Sequence, residues 1–134
     1  MNREIKFRAW DGKKIHYYEL ETFVIQFNGI LGKFNKRTRS YDQVNWELMQ
    51  YTGLKDKNGK ERFEDDIVLI TWTTDSKGGY LQSSDAYVDH KMIAVIKYYR
   101  EGFAYFDSKD KQINFPKNAD IEVIGNVYEN PELL

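Results

Sequence analysis

The stretch from Met49 to Ile70 reads MQYTGLKDKNGKERFEDDIVLI, and it constrains the fold more than any other part of the chain. It starts apolar, breaks at Gly53 and again at Asp56-Lys57-Asn58-Gly59, and then enters a β-branched run at Ile67. Asn-Gly between such runs predicts a hairpin, since a type I′ turn wants φ > 0 at both central residues. Asp11-Gly12, Asn28-Gly29 and Glu101-Gly102 punctuate the rest of the chain in the same way. The segments between them are rich in Val, Ile, Thr and aromatics, the residues that suit a pleated, half-buried surface. With ten Tyr, eight Phe and three Trp, the chain reads as mostly β.

Alternation predicts strands at Lys6–Trp10 and Ile15–Tyr18, then Thr22–Phe27 and Ile30–Phe34 with Gly32 as a bulge. Residues 41–46 are ambiguous. Val44, Leu48 and Tyr51 have helical spacing, but the segment also alternates imperfectly, and it reads as a loop followed by a strand ending near Thr52. Further strands are expected at Ile67–Thr73, Met92–Tyr99, Phe103–Phe106 and Ile121–Tyr128, the last with Gly125 as a bulge or a close backbone approach. Asp75–Asp89, rich in Gly, Ser and Asp, reads as a long loop, and Asp107–Lys117 as a polar connector with Asp110-Lys111 at its tip.

A chain of 134 residues makes one domain, or one domain with an extension. Lys and Arg total 20 against 21 Asp and Glu, so no global field draws the chain to nucleic acid. There is no Cys, which excludes disulfides and thiolate metal sites and fits the cytoplasm. The charged N-terminus has no apolar core of a secretory signal, and no apolar run reaches the ~18 residues of a membrane span.

A search for chemistry returns little. His16 and His90 are the only histidines, neither near a nucleophile motif, and each reads as a packed or surface residue. Glu61, Glu64, Asp65 and Asp66 cluster before a strand but lack the spacing of a calcium loop, and they read as a polar turn. No phosphate-binding glycine pattern occurs, no cofactor is expected, and the chain reads as a non-enzyme. Trp10, beside a tight turn, is read as a lid on the core, with base stacking as the other reading. The one basic cluster is Lys33, Lys36, Arg37 and Arg39, interleaved with Phe34 and Tyr41. Cations with aromatics suit single-stranded nucleic acid through phosphate neutralisation and base stacking, and a solvated loop is the plain alternative.

Three separated motifs resemble the YopX family, small proteins encoded by bacteriophages and prophages: Lys6–Asp11 (KFRAWD), the run from Tyr51 to Val68, and Ile121–Leu134 (IEVIGNVYENPELL). The resemblance implies an SH3-like β-barrel over residues 46–134, with an N-terminal β-hairpin segment over residues 1–45 packing on it. It implies structural roles for Trp10, Asp11, Gly53, Leu54, Asp56, Gly59, Asp66, Gly125, Asn126 and Pro131, and it implies no activity. Glu64-Asp65-Asp66 stands where the family usually has Glu-Gly-Asp. Either Asp65 takes the positive φ that a Gly takes freely, at some strain, or the φ there is ordinary.

Two function classes follow. The first is a binding or self-associating module in the cytoplasm of a bacterial host, a homo-oligomer or the partner of a host protein. The crowded hairpin of Tyr98, Tyr99, Phe103, Tyr105 and Phe106 is its expected interface, because a small barrel cannot bury so many aromatics on both faces. The alternative is nucleic-acid binding through residues 33–41. A hydrolase ranks last.

Overall fold

The structure, a computed structural model, describes residues 4–18, 23–26, 28–75 and 87–134. The described residues form eleven strands and almost no helix. The chain divides into two units, Met1–Gly53 and Leu54–Leu134.

In the first unit, β1 (Phe7–Trp10) lies between β2 (Ile15–Tyr17) and β6 (Glu47–Lys55), both antiparallel to it. A second sheet carries β3 (Val24–Ile25), β4 (Leu31–Asn35) and β5 (Ser40–Val44) in that order. Ala9, Phe23 and Leu31 form the buried centre, with Phe7, Ile25, Val44, Trp46 and Leu48 packed around them. Thr22 and Phe27, ends of an expected strand, fall outside the described residues. Gly32 is not a bulge, because the register runs unbroken through it from Val24 to Gln43. It is crowded instead: an added Cβ would sit 3.4 Å from both Tyr41 and Val24. Nor are residues 40–44 a loop. Ser40–Val44 pairs with β4 residue for residue, so cross-strand pairing overrides a polar local sequence.

The second unit holds β7 (Glu61–Phe63) and a four-stranded antiparallel sheet in the order β10 (Gly102–Phe106), β9 (Tyr87–Tyr99), β8 (Asp66–Asp75), β11 (Asp120–Asn126). Val68, Ile70, Ala94, Ile96 and Val123 make its core. Pairing places Val68 against Ala94 and Val123, so these side chains share one face. β9 begins at Tyr87, five residues before the expected start at Met92, so Tyr87–Asp89 belong to a strand rather than to a loop. Residues 76–86 lie outside the described residues. A short 3-10 helix, Pro131–Leu133, follows β11 with Pro131 at its first position. Among the described residues no helix is long and apolar enough to cross a membrane.

The central turn departs from the expected type. Gly59 has φ +83, but Asn58 does not enter the left-handed region. The Asp56 side chain is the reason: its Oδ1 accepts from the N–H of Asn58 at 2.8 Å and of Lys60 at 2.9 Å, which shapes the turn from the side. Asp107 builds a twin, its Oδ1 accepting from Lys109 and Lys111, with Asp110 at φ 61 in the place of Gly59.

Candidate nucleic-acid interface

The base of the β4–β5 hairpin joins the core through Leu31 and Val44, and its tip is held by bonds within the hairpin. Asn35 Oδ1 accepts from the N–H of Arg37 at 2.9 Å, its Nδ2 donates to Asp42 at 2.9 Å, and Arg39 N donates to the Asn35 carbonyl at 2.8 Å. Arg39 sits at φ 56, which closes the tip. Lys36, Arg37 and Arg39 therefore project around one tight bend, and none of them makes an ion pair among the described residues.

Phe34 and Tyr41 face each other across the two strands, ring centroids 5.3 Å apart, and remain 47% and 57% exposed. Alternation from buried Leu31 places both on the side away from the core. Such a pair can take a base on its π faces. The structure splits the six residues expected here. Lys33 is registered with Asp42, on the opposite side of the ladder from the aromatic pair. A shallow depression of about 330 Å³ is lined by Lys33, Phe34, Asn35, Lys36, Asp42 and Val44.

Both histidines rest on tryptophans. His16 stacks on Trp46 at 4.3 Å, and its Nε2 lies 2.7 Å from Asp11 Oδ2. The bond to His16, with the N–H groups of Lys14 and Lys13, holds the Asp11 carboxyl well below the usual carboxylate range. His90 stacks on Trp72 at 5.1 Å, and its Nε2 lies 2.8 Å from Thr74 Oγ1, beside a cleft of about 470 Å³ that also meets Asp89, Asn118 and Asp120. A nucleophile relay needs a hydroxyl and an orienting carboxylate on one imidazole. Among the described residues His16 has only the carboxylate and His90 only the hydroxyl.

Of the aromatic hairpin, Phe106 is buried, and Phe103 and Tyr105 pack on the core. Burial raises the Tyr105 pKa, against the nearby Arg62 whose Nη1 donates to its hydroxyl at 2.5 Å. Tyr98 and Tyr99 are exposed, each edge-on to a neighbour, Phe103 and Phe106 respectively.

Several of the remaining singled-out residues make hydrogen bonds within the second unit. Asp56 Oδ2 reaches the N–H of Val123 at 2.9 Å, and Lys57 N donates to the Ile121 carbonyl. Burial works against the Asp56 charge, but the N–H groups of Val123, Lys60 and Asn58 outweigh it and hold its pKa below the ordinary 3.8. Residues 6–134 match the family model described as YopX protein. The chain belongs to the YopX family.

Two solved structures resemble it over nearly the whole length. One is the crystal structure of protein yopX from Bacillus subtilis, 28% identical, covering 96% of this chain and 97% of that one with a TM-score of 0.58. The other is the crystal structure of protein EF1440 from Enterococcus faecalis, 29% identical, covering 99% of each chain with a TM-score of 0.57. No curated protein matches.

In this YopX chain the other motif residues occupy turns, strands and the bulge of β11. The register shifts between Val123 and Gly125, and a Cβ on Gly125 would lie 2.5 Å from Asn130 Oδ1, so Gly125 is both bulge and close approach. Asn126 Oδ1 accepts from Tyr128 and Glu129, and Asn130 Oδ1 accepts from Asn126 N. Asp66, 1% exposed, accepts from Phe63 N. Asp65 takes φ 68, so the strained alternative holds; its N–H donates to Ile96, its carbonyl accepts from Val127, and its side chain accepts from the Tyr128 hydroxyl at 3.0 Å. Gly53 has φ +88 within β6, Leu54 is exposed, and Trp10 is half-buried in β1. The stacked Trp46 and Trp72 escaped sequence reading because each meets its His only through strand pairing, 30 and 18 residues away along the chain, which leaves no local spacing to find.

Proposed function

We propose that this YopX chain is a non-catalytic accessory protein of a bacteriophage or prophage, acting in the bacterial cytoplasm as a binding module that holds single-stranded nucleic acid on the β4–β5 hairpin. The observation that carries this is the exposed Phe34–Tyr41 pair beside the cations Lys36, Arg37 and Arg39, which make no ion pair among the described residues. Aromatic faces accept any base, and cations at a hairpin tip track a backbone, so the binding is tolerant of sequence and sensitive to salt. The second unit is read as an SH3-like half-barrel that serves as the scaffold, supported by its antiparallel order β10-β9-β8-β11 and the bulge in β11. The separation of the two histidines' partners supports the non-catalytic reading.

Fluorescence anisotropy of labelled single-stranded RNA and DNA at low salt tests it. Wild-type chain should bind, and Phe34→Ala with Tyr41→Ala should weaken binding at least about fivefold, from the ~1–3 kcal/mol that one stacked base contributes. No binding by a folded wild-type chain would end the proposal.

A further inference from the structure

β9 has an edge that nothing described covers. β8 pairs with it from Tyr87 to Val95, but β10 pairs only from Val95 to Tyr99. The side of residues 87–93 away from β8 therefore carries backbone groups with no partner among the described residues, the template on which another strand adds. The Ile96 carbonyl accepts from Asp65 N at the start of β8. Since N–H and C=O directions alternate along a strand, the groups of Tyr87, Asp89, Lys91 and Ile93 point to the open edge.

The sequence on this edge is Tyr87-Val88-Asp89-His90-Lys91-Met92-Ile93. About a two-fold axis at His90 it complements itself. Asp89 meets Lys91 of a second copy, Tyr87 meets Ile93, and Val88 meets Met92. The residues that meet in the first two pairings are those whose backbone groups point across the edge, so side-chain pairing and hydrogen bonding agree in register. Moving the axis by one residue either way, the nearest shifts that keep those groups facing, sets Asp89 against Asp89 or Lys91 against Lys91, and like charges directly opposite repel. Within the chain, Asp89 and Lys91 are registered with Thr73 and Thr71 and make no ion pair among the described residues. Tyr87, Val88 and Ile93 are 54%, 42% and 41% exposed, an apolar load unusual on an open edge.

We propose that β9 pairs antiparallel with β9 of a second copy through residues 87–93, joining two sheets into one continuous sheet across a two-fold axis. This interface is separate from the Tyr98–Phe106 hairpin and does not depend on nucleic-acid binding.

The test is sedimentation equilibrium of the full chain at micromolar concentration. Wild type should sediment at twice its 16.0 kDa mass. Asp89→Lys alone, and Lys91→Asp alone, each place like charges opposite one another twice and should raise the dimer dissociation constant at least about tenfold. Mixed together, the two variants should recover wild-type association, because each then meets the opposite charges of the other. The double variant Asp89→Lys/Lys91→Asp should also dimerise with itself. A monomeric wild type, single variants that dimerise as tightly as wild type, or a mixture that stays monomeric would each overturn the proposal. Recovery in the mixture also shows that both variants are folded.

Discussion

The turns at Asp56 and at Asn35 use one device to opposite ends. In each, a side-chain oxygen captures the N–H two residues on and bends the chain. Asp56 then spends its second oxygen on Val123, 67 residues away, and becomes a joint of the second unit. Asn35 spends its amide on Asp42 across its own hairpin, so the tip beyond it is shaped but unanchored, and its cations stay available. The same local chemistry thus yields a structural turn or a presenting turn, and the long-range partner decides which.

Breaking the anchored turn should have the largest effect. Asp56→Ala strands the buried N–H of Val123 and two turn donors, and should lower stability by about 2–4 kcal/mol in urea unfolding. Asn35→Ala, at an exposed turn, should cost no more than about 1 kcal/mol. Equal losses would erase the distinction. Next in size is Gly125→Ala, which pushes Asn130 off the Asn126 N–H and should cost about 1–3 kcal/mol by the same measurement.

Acid should separate the turns as well, since Asp56 titrates and Asn35 does not. The Asp56 pKa is depressed in the folded state, so its contribution is full above the unfolded value near 3.9 and is lost as pH falls through the folded one. Asp11 and Asp107, also depressed, add to the same loss. Urea midpoints from neutral pH downward should drop below about pH 4, and Asp56→Asn should flatten that drop.

The twin turns at Asp56 and Asp107 sharpen the comparison at smaller scale. Gly59 has open space around it and differs from Asp110 mainly in lacking a side chain at positive φ. Gly59→Asp should therefore cost no more than about 1 kcal/mol, whereas a β-branched Gly59→Val should cost more.

Much of this was legible in the sequence. The glycine turns, the β class and the family motifs followed from local chemistry, and Gly59 lies at positive φ as its Asn-Gly setting implied. What escaped was non-local. Ser40–Val44 became a strand only through its partner β4, and the start of β9 at Tyr87 was set by pairing with Asp75. The basic and aromatic residues of 33–41 stood out by type, but their division between two faces needed a register, and no residue within the loop reading supplied one. Glycine's two roles also differed in legibility: Gly59 announced a turn, whereas Gly125 answers to the side chain of Asn130, which only the folded lattice brings near.

The salt dependence of single-stranded nucleic-acid binding tests most directly whether the unanchored hairpin tip is the binding surface. With Lys36, Arg37 and Arg39 each neutralising one phosphate, log K should fall with log salt at a slope of about −2. Lys36→Gln, Arg37→Gln and Arg39→Asn together should bring that slope close to zero, and Lys33→Gln, on the other face, should leave it unchanged. A slope that survives the triple variant, or that falls as much on loss of Lys33 as on loss of a tip cation, would contradict the assignment.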